Sequence, residues 1–111
     1  MLSGRRFMPS SPGVADGWTL TPRARTDLAD IWRFGAQRWS IQQADRYEDG
    51  LFRTFDLLAA QPRLARARPE ISQGIRVHPY DAHLLFYRIA DDGIEIVRIV
   101  HARQDLLAAL D

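Results

Sequence analysis

The sequence contains no cysteine. Disulfides, thiolate-bound zinc and a cysteine nucleophile are excluded together, although the compartment stays open on that ground alone. Lysine is absent as well, so all fifteen basic residues are arginine. Arginine stays protonated and forks onto carboxylates and phosphates but makes a poor general base. No window approaches about 18 uninterrupted apolar residues, and no membrane span is expected. The opening MLSGRRFMPSSPG has two arginines without the apolar run of a secretory signal, which makes the cytoplasm the expected location. Net charge is only +1, so a strong pull on nucleic acid over the whole surface is not expected.

What remains is an ordinary globular composition, 46% hydrophobic and 26% charged over 111 residues. A chain of this size buries roughly 60 to 70 per cent of its unfolded surface, enough for one core. Residues 1–17, rich in Ser, Pro and Gly, read as a flexible tail, with Met8 as a possible later start. Residues 18–111 read as one domain.

Within it, Gly17-Trp18-Thr19-Leu20-Thr21 is a short β-type run. Thr21-Pro22 then supplies an N-cap and a proline at the first helical position. Ala24, Leu28, Ile31, Trp32, Gly35 and Trp39 fall three and four apart, predicting one apolar stripe on a helix that runs to about Trp39. Ser40-Ile41-Gln42-Gln43 is a capping box that starts a second helix, and Pro62 stops it. Its stripe is Ala44, Tyr47, Leu51, Phe55 and Leu58, and the short link makes the two helices an antiparallel hairpin. Gly50 costs about 1 kcal/mol relative to alanine, which a close approach of the two helices would justify. Pro62 to Gln73 reads as a loop. Gly74 to His78, Ala82 to Ala90 and Ile94 to His101 read as strands, the last two joined at Asp91-Asp92-Gly93, the clearest hairpin signal in the chain. Gln104 to Leu110 is expected to form one or two helical turns or to fray. The fold class is α/β (α+β), in the order β-α-α-β-β-β.

Alternation puts Leu84, Phe86 and Arg88 on one sheet face and Leu85, Tyr87 and Ile89 on the other. In the last strand the sets are Ile94, Ile96, Arg98 and Val100 against Glu95, Val97, Ile99 and His101. Neither strand has a fully polar side, whereas one face of an antiparallel sheet is usually solvated. The helices would cover one face. Loops and termini, or a partner laying down a helix or strand, would cover the other.

Three segments carry a family resemblance: Leu20-Thr21-Pro22-Arg23-Ala24 with Asp27-Leu28 and Ile31; Ala44 with Leu57-Leu58-Ala59 and Pro62; and Gly74-Ile75-Arg76, Phe86-Tyr87-Arg88 and Ile96 to His101 with Arg103 and Asp105. The chain resembles the ParE toxins of bacterial type II toxin–antitoxin modules, within the RelE/ParE superfamily. The resemblance implies a small toxin that inhibits DNA gyrase and is neutralised by a ParD-like antitoxin wrapping around it, with a helical hairpin packed on a small, mainly antiparallel sheet. It also implies the runner-up, a RelE-like endoribonuclease that cuts messenger RNA on the ribosome.

Arg76, Arg88, Arg98 and Arg103, with His101, are the candidate partner-binding residues. Singly, such arginines are usually solvated or salt-bridged, their stems covering apolar surface; as a group they could bind acidic side chains or phosphates. Arg88 and Arg98 share a face only if the hairpin turn has three residues. For the ribonuclease alternative, the candidates are Tyr87, His101 and Arg76, since cleavage needs a base, an acid and a cation for the phosphate. His78 and His83 flank a proline-containing loop without ligand-like companions, so no metal, and no cofactor, is expected.

Overall fold

The computed structural model describes residues 17–103, in the order β1 (Gly17–Leu20), α1 (Pro22–Arg38), α2 (Ile41–Ala60), β2 (Arg76–Tyr80), β3 (His83–Ala90) and β4 (Gly93–His101). The expected tail, apart from Gly17, and the expected turns at Gln104 to Leu110 lie outside the described residues. Gly17 itself belongs to β1, not to the tail.

Both helix starts form as their capping residues dictate. The Thr21 hydroxyl accepts from the Ala24 N–H at 3.0 Å, and the Ser40 hydroxyl accepts from the Gln43 N–H at 3.0 Å. Thr21 has a second task, because its hydroxyl also donates to the Val97 carbonyl at 2.8 Å while its N–H donates to the Ile96 carbonyl at 3.0 Å. One residue thus starts α1 and fixes it to β4.

The sheet order is β1-β4-β3-β2, with β1 parallel to β4 and the other pairs antiparallel. The β3–β4 turn has two residues, Asp91 and Asp92, because Ala90 already pairs with Gly93. The three-residue turn on which a shared face for Arg88 and Arg98 depended is therefore not formed. Gly93 sits at φ +137, and a Cβ there would come within 1.8 Å of the Gly17 carbonyl oxygen, so no other residue fits this crossing of β1 and β4.

A bulge corrects the expected alternation. Tyr87 pairs with Ile96 but Phe86 pairs with Arg98, leaving Val97 as the extra residue. Parity reverses across it: Ile94, Ile96 and Ile99 all join Leu85 and Tyr87 in the cluster under the helices, while Val97 and Val100 join Phe86 on the opposite face.

Under the helices the core is aromatic, with Trp18 stacked on Phe52 at 5.6 Å and edge-on to Phe55 at 4.9 Å. On the opposite face Phe86, Val100 and Ile75 are buried, flanked by Ile71, Val77, Leu84 and Val97. Ile71 and Ile75 come from the loop after α2, so a loop of the chain supplies part of that cover. The loop is tied down by the Arg68 N–H donating to the Ile75 carbonyl at 2.8 Å.

The helices do approach closely, but at Gly35, whose added Cβ would lie 3.5 Å from that of Ala44. Gly50, expected at the helix crossing, instead lies under the ring of Tyr80, whose hydroxyl oxygen would be 1.8 Å from an added Cβ. No described helix is long and apolar enough to cross a membrane.

Candidate functional site

An open, mainly apolar groove of about 530 Å³ lies where the helical hairpin extends past the end of the sheet. Asp30 and Ile31 of α1 and His101 of β4 line it together, so the final turns of α1 and the first turn of α2 have no strand beneath them. This explains a failed expectation. Trp39, placed on the buried stripe by its spacing, is 60% exposed, and Phe34 is 58% exposed. Their rings meet edge-on at 6.1 Å, and the Arg38 guanidinium lies 6.0 Å and 5.9 Å from the two ring centres.

The polar floor of the groove is a Tyr47–His83–His101 cluster. The Tyr47 hydroxyl and His83 Nδ1 are 2.7 Å apart, and the His83 and His101 rings, directly opposed across β3 and β4, have centres 5.5 Å apart. Burial and the nearby Asp81 carboxylate push the Tyr47 phenol up to about 12. Burial, reinforced by His101, lowers the His83 imidazole. Sequence reading assigned Tyr47 to the core and gave His83 no companions. The pairing joins residues 36 apart in sequence, and only the sheet register reveals it.

The candidate arginines separate into two kinds. Arg98 grips Asp27 of α1 through Nε at 2.7 Å and Nη2 at 3.0 Å, and the same carboxylate accepts from the Ile99 N–H at 2.9 Å. Both side chains are largely buried, at 11% and 14% exposure, and the pairing raises the guanidinium pKa further. Arg98 is therefore an internal tie between α1 and the bulge. Arg76 donates to the Ala65 carbonyl at 2.7 Å and holds the loop after α2. Arg88 is exposed, with an ion pair to Glu95 at 3.1 Å. Arg103 is exposed as well, its N–H donating to His101 Nδ1 at 3.1 Å.

The fold does not assemble the alternative cleavage set of Tyr87, His101 and Arg76. Tyr87 is fully buried and its hydroxyl donates to the Pro62 carbonyl at 2.8 Å. It pairs with Arg76 across β2 and β3, whereas His101 pairs with His83, four residues or roughly 13 Å along the strand. Among the described residues no cluster of three His, Asp or Glu side chains could hold a metal ion.

Comparison with known proteins places these features in a family. The model for the ParE toxin of type II toxin–antitoxin systems (parDE) matches residues 19–106. Toxin ParE1 of Mycobacterium tuberculosis (strain H37Rv) is 39% identical over 94 residues, covering 84% of this chain and 96% of that protein. Toxin ParE1 of Caulobacter vibrioides is 32% identical over 93 residues, covering 84% and 96%. A solved structure described as a chromosomal ParDE TA system from P. aeruginosa matches with a TM-score of 0.66 over 76% of this chain and 92% of that one. At 19% identity that likeness establishes the fold alone.

Proposed function

The chain belongs to the ParE toxins of type II toxin–antitoxin systems, and from this premise we propose that it inhibits DNA gyrase in the cytoplasm and is held inactive by a ParD-like antitoxin. The observation that supports recognition over messenger-RNA cleavage is the location of the Tyr87 hydroxyl, sealed against the Pro62 carbonyl and separated along the sheet from His101. A phosphodiester would need an acid and a base within hydrogen-bond reach of its own reacting oxygens. What the surface offers is a groove rimmed by exposed aromatics and an arginine, the residue types that dominate binding energy at protein interfaces.

Of the candidate partner-binding residues, Arg88, His101 and Arg103 are the exposed ones and the ones we assign to partners. Arg76 and Arg98 serve the fold.

The test is induced expression without the antitoxin, alongside a supercoiling assay on purified protein and gyrase. Growth arrest with induced DNA-damage response and lost supercoiling is expected, reversed by co-expression of the antitoxin. Arrest with rapid messenger-RNA cleavage and intact supercoiling would install the ribonuclease reading instead.

A further inference from the structure

Phe34, Trp39 and Ile41, half of the large hydrophobics left exposed among the described residues, crowd the tip of the helical hairpin. A cluster of exposed apolar side chains on a small domain marks a place of contact. The tip is also preformed. Gly35 lets α1 approach α2, where the Ala44 Cβ would lie 3.5 Å from one added at the glycine, and the Trp32 indole N–H donates to Asp45 at 2.8 Å. From Ile31 to Arg38 the helix rises about 10 Å, so the hairpin projects past the sheet as a stiff hook with the groove on its inner side. A preformed surface loses little freedom when something docks on it.

Charge says what fits. No arginine lines the groove, although arginine is the commonest charged residue of the chain; the carboxylates there are Asp30 and Asp81. Asp30 already meets Arg33 at 2.8 Å, whereas Asp81 has no ion pair among the described residues. At the tip, Arg38 lies against the Phe34 and Trp39 rings and likewise has no carboxylate partner among the described residues. No acidic residue stands in the first turn of α2, so the positive end of that helix reinforces Arg38. One end of the molecule therefore carries a basic, aromatic knob and an apolar groove with an acidic edge. Knob and groove complement each other, yet within one chain the knob is the groove's own wall and cannot fill it.

We propose that the free toxin forms a two-fold dimer in which each hairpin tip seats in the groove of the other copy, with Phe34 and Trp39 against its apolar lining and Arg38 against Asp81. The contact is isologous, the same patch serving both chains, so it closes at two copies. A partner that uses the groove must first separate the dimer. The inference does not depend on which target the toxin acts on.

Sedimentation equilibrium of the full chain, free of antitoxin, should show a mass that rises from one chain to two across the micromolar range. Trp39→Ala should weaken dimerisation by at least about tenfold, the usual scale for an aromatic anchor at an interface. Arg38→Glu and Asp81→Arg should each be monomeric over the same range, since either sets like charges together twice in the dimer. Mixed, these two variants should associate with one another, because one contact of the mixed pair is native and the other has its charges exchanged. Asp81 lies at φ +51, where a long side chain is strained. Asp81→Asn suits that backbone, and it should weaken the dimer several-fold with an unchanged circular dichroism spectrum. A wild type that stays monomeric, variants that dimerise like wild type, a mixture of folded variants no more associated than its components, or masses beyond two copies overturns the proposal. If the wild type is monomeric and Trp39→Ala instead weakens binding of a ParD-like antitoxin, the groove belongs to that partner and not to a second copy.

Discussion

At the scale of single residues, the polar groups of this protein act mostly as fasteners, and His83 is the one whose fastening depends on pH. Its imidazole titrates below its ordinary 6.5 because burial, and then the neighbouring His101, disfavour the charged form. His78 is lowered by burial alone. The folded chain therefore binds fewer protons than the unfolded chain once pH falls towards 6.5. Stability is complete above that value and declines as pH drops through the lower folded values, by at most about 1.4 kcal/mol per pH unit for each histidine. Urea denaturation should give midpoints that fall between about pH 7 and pH 5. His83→Gln should flatten part of that slope, and His78→Gln another part. A wild-type midpoint that does not move in this window would contradict the assignment. Little of this was legible beforehand, since the partners of His83 lie on α2 and β4, brought close by a register that a run of residues does not specify.

At the scale of elements, legibility divides along range of interaction. The helix starts at Thr21 and Ser40 could be read because the oxygen and the N–H it caps are three residues apart. The strands could be read because β-branched and aromatic residues cluster in them. The bulge at Val97 could not, because it answers to Thr21 and Asp27 more than 70 residues away. Nor could the neighbour of Gly50, which is Tyr80 on β2 and not the other helix. That contact yields a sharp prediction. Gly50→Ala should destabilise the protein by about 1–3 kcal/mol through overpacking, despite alanine's better helix propensity. In a Tyr80→Ala background the same change should instead stabilise by about 1 kcal/mol, the propensity gain alone. Thermal denaturation of the four proteins tests it. If Gly50→Ala stabilises both backgrounds, Tyr80 does not lie over the glycine.

At the scale of the whole molecule, a near-neutral chain distributes its arginines between holding the fold and meeting partners, and geometry sorts them where composition could not. Removing the Arg98 side chain leaves Asp27 without its charge partner in a largely buried setting, a loss of roughly 3 kcal/mol or more by analogy with broken buried pairs. Arg88→Ala and Arg103→Ala should each change stability by no more than about 0.5 kcal/mol, since exposed charges and surface ion pairs contribute little to folding. Their effect should appear in association. Rim charges act mainly on encounter rate and salt dependence, so the double variant should bind a ParD-like antitoxin more slowly at low ionic strength. The gap from wild type should close as salt is raised. Stopped-flow or biosensor association rates across a salt series measure this directly, with denaturation midpoints as the folding control. Association rates that match wild type at every ionic strength would remove Arg88 and Arg103 from the partner surface. A loss of affinity that persists undiminished at high salt would mean that they make desolvated contacts at the centre of the interface, not steering contacts at its rim.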